Sequence, residues 1–275
     1  MTCAFNQPRF RTTTARICVA CVAMVALLLI GLSGSASAEW FLAGYGGYTS
    51  PGSLSDVTMD NYGEQLAFQQ FPGAAAIPPL GTLTQSFKTS DVSLKNSPLF
   101  GGKVGYFFKE EGFSWLGVEV EAFTSQPTIK NQTVSTKQDV TYLPFNPLPP
   151  GICTPGIDCQ AQTTTRSTLA LSESSMRLIA VAFNVAARYP GEVFQPYIGV
   201  GGGAFYFNSS GQISGRQVVP GLNLQTGLKV LATEEWALFV EGKYNYASIT
   251  NLDPTFGLSG QYNAFSALAG IAYHF

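Results

Sequence analysis

Charge is scarce in this sequence. Of its 275 residues, 15 are Lys or Arg and 17 are Asp or Glu, which makes 12%, whereas an ordinary soluble domain carries about 25%. Histidine occurs once, as His274. One histidine and one late cysteine pair do not suggest a metal site, and a Ser–His hydrolase would have to use that single imidazole. Net basic charge is also missing. The formal charge is −2, which does not suggest a nucleic-acid partner. Long apolar runs are absent after residue 32. The best candidate, Leu178 to Ala187, has ten residues and contains Asn184, well short of the ~20 that a spanning helix needs. Of five cysteines only Cys153 and Cys159 lie beyond residue 21.

The N-terminal segment is different. Arg9, Arg11 and Arg16 precede an apolar run from Ile17 to Leu32, and Ser35-Ala36-Ser37-Ala38 then leads into Glu39-Trp40. A basic start, an apolar middle and a small-x-small exit predict a secretory signal peptide over residues 1–38, cleaved after Ala38. The alternative, a retained membrane anchor, would need a longer run. A lipoprotein signal is not expected, because Cys18 and Cys21 open the apolar run rather than follow it. Cleavage leaves one domain, 39–275, and removing three arginines takes the charge to about −5. An even pair of cysteines in an exported chain predicts a disulfide between Cys153 and Cys159. In the loop-closure description it contributes on the order of 2–3 kcal/mol.

Beyond residue 38 strand-like segments recur, most with alternating faces. They run from Trp40 to Tyr48, Leu99 to Phe108, Ser114 to Phe123, Met176 to Tyr189, Gln195 to Phe207, Leu222 to Ala232, Trp236 to Tyr246 and Gly260 to Phe275. Each is near or above the 9–11 residues of a membrane-spanning strand. The connections alternate. They are about fifty residues, about five (KEEGF), about fifty, five (PGEVF), about fourteen, three (TEE) and about thirteen. Strict long–short alternation is the pattern of an up-and-down barrel with short periplasmic turns and long extracellular loops. A soluble sandwich has no reason to place every long loop at one end.

Face chemistry agrees. Leu116, Val118, Val120 and Ala122 oppose Gly117, Glu119 and Glu121. Leu238, Val240, Tyr244 and Tyr246 oppose Glu241, Lys243 and Asn245, while Leu222, Leu224, Leu228 and Val230 oppose Asn223, Gln225 and Lys229. Val104, Tyr106 and Phe108 oppose Lys103. A lysine facing lipid at the midplane costs about 2–4 kcal/mol, so the charges belong inside and the apolar faces in hydrocarbon. Trp40, Trp115 and Trp236 open upward strands and fall at one interface. Trp115 has lumen parity and is expected at the barrel floor. The last strand keeps Phe265, Ala267, Ala269, Ile271, Tyr273 and Phe275 on one face. It is expected to pair with the first strand, because an open edge is not tolerated in lipid.

With these segments in order, the sequence resembles the small eight-stranded outer-membrane barrels of Gram-negative-type bacteria, the OmpA-type transmembrane domain and its relatives. The resemblance is carried by Trp40-Phe41-Leu42-Ala43-Gly44, Phe100-Gly101-Gly102-Lys103-Val104-Gly105-Tyr106, Pro196-Tyr197-Ile198-Gly199-Val200-Gly201 and Ala272-Tyr273-His274-Phe275. It covers the chain from residue 39 onward. It implies an outer-membrane location, partnership with membrane lipid, and passage through periplasmic chaperones and the outer-membrane assembly machinery. In that family a terminal Phe with aromatic or apolar residues at alternate positions before it is the assembly signal, a pattern matched here by Tyr273 and Phe275. The family includes structural proteins, adhesins, narrow channels and a few lipid-modifying enzymes. The periplasmic peptidoglycan-binding domain of full-length OmpA has no counterpart in this sequence.

Candidate sites follow. Lys103, Glu119, Glu121, Lys229, Glu241 and Lys243 are expected to form a lumen charge network, because buried charges must pair and an eight-stranded barrel is just filled by side chains. The competing reading is a gated ion path. Glu119 and Glu121, ~6–7 Å apart on one strand face, fall in the range of paired glycosidase carboxylates. A sealed lumen with lysines nearby argues against that use. His274 sits at the periplasmic end and is read as a lumen-facing cap. The family's lipid A deacylases carry their histidine near the outer face. Gly199-Val200-Gly201-Gly202-Gly203 lacks the nucleotide-binding spacing and the following helix. Its glycines are read as room for neighbouring aromatics or for a bend. The first long loop holds an apolar stretch, Phe71 to Leu80, and the second holds the cysteine pair.

The sequence thus predicts an all-β, eight-stranded antiparallel up-and-down transmembrane barrel, monomeric, with no cofactor, no catalytic residues and no metal. Its expected role is structural or surface-interacting, through loops that meet an extracellular ligand. The alternatives are a narrow porin or small hydrophobic-molecule conduit, and then a lipid A-modifying hydrolase.

Overall fold

The computed structural model describes residues 39–109 and 112–275. The signal segment lies outside the described residues. In chain order the strands are β1 (Glu39–Ser50), β2 (Ser53–Met59), β3 (Gly81–Thr89), β4 (Val92–Lys95) and β5 (Ser97–Phe108). Next come β6 (Phe113–Ser125), β7 (Thr128–Ile129), β8 (Gln132–Pro144), β9 (Ala161–Leu171) and β10 (Ser174–Arg188). The last are β11 (Phe194–Ser210), β12 (Gly215–Leu231), β13 (Trp236–Ile249) and β14 (Leu258–His274). Helices α1 (Asp60–Gln70) and α2 (Pro72–Ala75) lie between β2 and β3. Among the described residues no helix is long and apolar enough to cross a membrane.

Eight strands close a ring. Antiparallel ladders run β1–β5–β6–β10–β11–β12–β13–β14 and return from β14 to β1. The closing register pairs Phe41 with His274 and Ser50 with Phe265. All eight strands expected from the sequence are these eight. Several extend further at the long-loop end; β12 begins at Gly215 rather than Leu222.

Each strand has two solvents, and its residues sort accordingly. In β10, Leu178, Ala180, Ala182, Asn184, Ala186 and Arg188 are buried, while Val181, Phe183 and Val185 point outward. In β13, Val240 is 57% exposed and its neighbour Glu241 3%. A closed barrel with an apolar outside and a charged inside is the architecture of bacterial outer-membrane barrels. It places this chain in that membrane.

The two fifty-residue connections, read from the sequence as loops, hold six further strands and both helices. They build a sheet in the order β7–β4–β2–β3–β8–β9, tied to the barrel by β7 on β10 and by β2 on β14. Helix α1 lies on β3 and needs Gly63 to do so, since a Cβ there would stand 2.5 Å from the Phe87 side chain. One apolar cluster runs without a break from Phe41 and Phe239 in the lumen to Leu54, Met59 and Leu258 beneath the outer sheet. A second, small core of Ala67, Phe71, Val140 and Tyr142 sits further out.

Candidate functional site

The lumen is filled from bottom to top. At the floor Glu39 opens β1 and Arg188 ends β10. Arg188 donates both guanidinium nitrogens of its fork to the Glu39 carboxylate and its Nε to the Ser114 carbonyl at 3.0 Å. His274 Nδ1 lies 2.9 Å from Glu39 Oε1, and its Nε2 lies 3.3 Å from Lys229 Nζ. A proton on Nδ1 satisfies both contacts: the ring donates to the carboxylate and accepts from the ammonium. Lys229 also stands over the Phe41 ring at 4.3 Å, and Arg188 over Phe107 at 3.8 Å.

Above the floor lies a cavity of about 20 Å³, lined by Phe41, Lys103, Arg188, Tyr197, Lys229 and Phe239 among others. That is room for about one water molecule.

The middle layer is a two-sided charge network. Lys103 Nζ lies 2.6 Å from Glu241 and 3.7 Å from Glu119. Lys243 pairs with Glu121 and lies 3.4 Å from Glu241. Tyr45 donates to Glu121, and Tyr197 donates to Glu241 at 2.6 Å. The amides of Asn184, Asn223 and Gln225 supply the remaining donors to Glu119 and Glu121. Higher still, Phe123 meets Phe205 edge-on at 6.0 Å and Phe207 meets Tyr262 at 5.3 Å. This aromatic layer is continuous with the outer apolar core.

Five of the six sequence-derived lumen charges therefore converge: Lys103, Glu119, Glu121, Glu241 and Lys243. The sixth does not. Lys229 lies one layer lower, with His274, and no carboxylate comes within ion-pair distance of it among the described residues. Its parity was legible, but its depth depends on the stagger between strands. Glu39, Arg188, Tyr45, Tyr197 and Asn184 were not singled out as site residues from the sequence, and Asn223 and Gln225 were placed only on the inward face of their strand. The available signal was the shared parity of Arg188 with Asn184 and of Glu39 with Phe41. The expectation for Trp115 is corrected: it is 48% exposed and packs edge-on with Phe113. Arg188, bonded to the backbone of neighbouring Ser114, takes the floor position instead. The room left by glycine at Gly199 and Gly201 is occupied by the polar side chains of Gln225 and Asn184 rather than by aromatics. Tyr273 stacks on Phe275 at 6.1 Å and meets Trp236 at 4.9 Å with the rings tilted, on the outer face.

The outer sheet presents the other candidate surface. Lys88, Lys137 and Arg166 stand side by side across β3, β8 and β9. Lys137 pairs with Asp139 at 2.6 Å. Further along, β8 and β9 are joined by residues 145–160, where Cys153 and Cys159 form a disulfide with a Cα separation of 5.1 Å.

No family model matches the chain, and no curated protein matches it by sequence. Among solved structures it is similar to Neisserial surface protein A, with 11% identity over 87% of this chain and 100% of that one, at a TM-score of 0.43. It is similar to Ail, the attachment invasion locus protein of Yersinia pestis, in complex with the heparin analogue sucrose octasulfate, with 13% identity over 86% and 98% of the chains, at 0.38. It is also similar to the outer membrane protease OmpT from Escherichia coli, with 10% identity over 89% and 99%, at 0.34. No role is assigned from likenesses of this size.

Proposed function

We propose that the barrel is a sealed anchor and that the protein acts through the folded platform it carries outside the cell. It is read as a non-enzymatic surface protein. The observation that carries this reading is the filled lumen. Paired charges, amides and aromatics occupy it from floor to rim, and the cavity between them has only about 20 Å³. The rest of the long connections is folded into an ordered sheet, which is a large investment of chain on the outer side. His274, the only histidine in the sequence, is engaged by Glu39 and Lys229 inside the floor. That disfavours a hydrolase using it at the outer leaflet.

Residues 39–275 refolded into planar lipid bilayers test the anchor. A heat-dependent gel shift first establishes the folded barrel. A silent bilayer is expected. Reproducible single-channel steps, altered by Glu241→Gln, would replace the anchor with a pore.

A further inference from the structure

The tip of the outer platform is apolar, and it is finished on the inside. Two stretches without a single charged residue, 65–87 and 140–157, converge there. The Phe145 amide donates to the Leu80 carbonyl at 2.8 Å, and the Gly73 amide donates to the Gly156 carbonyl at 2.8 Å. Together they present Ile77, Leu80, Phe145, Leu148 and Ile152 outward. Ile77 is 100% exposed, Ile152 71% and Phe145 62%. Exposed apolar side chains gathered at one end of the platform in this way mark a contact with a protein or a membrane.

The backbone favours one of those partners. Pro144, Pro147, Pro149, Pro150 and Pro155 have no N–H to satisfy. The amides of Leu148, Ile152 and Ile157 donate within the tip, to Asp158, Pro149 and Thr154 carbonyls at 3.0, 3.3 and 3.1 Å. Asp158, the nearest charge in sequence, turns its carboxylate onto the Thr154 amide. A protein interface reads polar groups at about one hydrogen bond per 100–200 Å², and this tip offers few. Shallow entry into a bilayer interface favours the opposite, apolar side chains without charge and few free N–H groups. The tip is also the end of the β8–β9 hairpin. It is braced by the Cys153–Cys159 disulfide and by the stacking of Phe71 on Tyr142 at 5.4 Å.

We propose that this tip inserts its apolar side chains into the interfacial layer of an apposed lipid bilayer, one other than the membrane that holds the barrel. The proposal rests on the surface-platform reading and names its partner. Insertion is shallow, reaching about 5–10 Å below the headgroups. Its strength comes from buried apolar area and not from charge.

The test uses the protein in lipid nanodiscs, mixed with labelled vesicles of zwitterionic phosphatidylcholine and separated by flotation. Empty nanodiscs set the background. The protein is expected to float with the vesicles. Phe145→Asp with Ile152→Asp is expected to lower the floated fraction roughly tenfold. Ile77→Asp, on the other stretch and outside the disulfide loop, should lower it independently if the first pair unsettles the hairpin. Lys137→Gln with Arg166→Gln should leave it unchanged. Flotation at background for the unmodified protein would overturn the proposal, as would full retention by both tip variants. So would binding confined to anionic vesicles and lost with the lysine and arginine changes. Conductance of the same preparation separates the two readings. A silent bilayer without flotation sinks only the membrane contact, whereas channel steps sink the anchor itself.

Discussion

Lys243 and Glu121 meet across the full width of the barrel. They sit on β13 and β6, four places apart in a ring of eight strands, and their side chains close the distance as a buried ion pair. Removing Glu121 leaves Lys243 with Glu241 alone, at 3.4 Å, and removing Lys243 leaves Glu121 buried with no cation within ion-pair distance among the described residues. Glu121→Leu is expected to destabilise the barrel by roughly 3–5 kcal/mol, and Glu121→Leu combined with Lys243→Met to recover most of that loss. Urea unfolding in lipid vesicles measures both. A double variant as unstable as the single one would show that the pair is not the unit.

Glycine sets the packing of the lumen aromatics. A Cβ at Gly227 would stand 2.6 Å from the Tyr197 ring. Gly227→Val should displace Tyr197 and break its bond to Glu241, at about 1–3 kcal/mol. Gly44, where a Cβ meets nothing within 4 Å, should accept alanine within about 0.5 kcal/mol. The urea midpoints of the two variants decide.

The outer face should respond to charge as hydrocarbon does. Val240→Lys is expected to cost about 2–4 kcal/mol if it lies near the midplane. Gln225→Lys points into the lumen and should fail differently, by adding a fifth cation to the four of the interior, Lys103, Arg188, Lys229 and Lys243. Refolding yield at varied bilayer thickness separates them, since only the lipid-facing change depends on depth.

Reducing the disulfide should loosen the tip and leave the barrel intact. The ring is closed over a sequence separation of 6, and loop-closure entropy assigns it about 2 kcal/mol. Protease cleavage within residues 145–160 should accelerate in reductant while the heat-dependent gel shift persists.

Asp139 gives the platform an acid response. Its carboxyl is held below the usual range by hydrogen bonds from Lys137 and Thr164. With the folded value depressed, its local stabilisation is present above the unfolded value and lost as pH falls through the folded one. Amide exchange along β8 and β9 should rise on acidification through that range, and Asp139→Asn should abolish the response.

Most of the barrel was legible in the sequence because two solvents impose a period of two. Glu119, Glu121, Glu241 and Lys243 had to face inward, and Val118, Val120 and Val240 outward. What parity cannot supply is depth. Lys229 shares the lumen face with the others, yet strand stagger sets it a layer lower against His274. Trp115 lies where the barrel ends and the inner face opens, so its parity no longer describes its surroundings. The outer strands escaped notice for another reason. β9 reads AQTTTRSTLAL, an exposed edge whose two faces meet the same water. Without a contrast between faces no alternation arises, and only the partner strand β8 reveals it.

β14 belongs to two structures at once. Its residues 265–274 close the barrel on β1, while Leu258 to Tyr262 hold β2 at the root of the platform. Closing the membrane ring and seating the external sheet are therefore one event on a shared strand. A chain that has not yet delivered β14 carries an open edge in lipid and a platform held by β7 on β10 alone. Both moorings of the platform are thereby in place only on a completed ring.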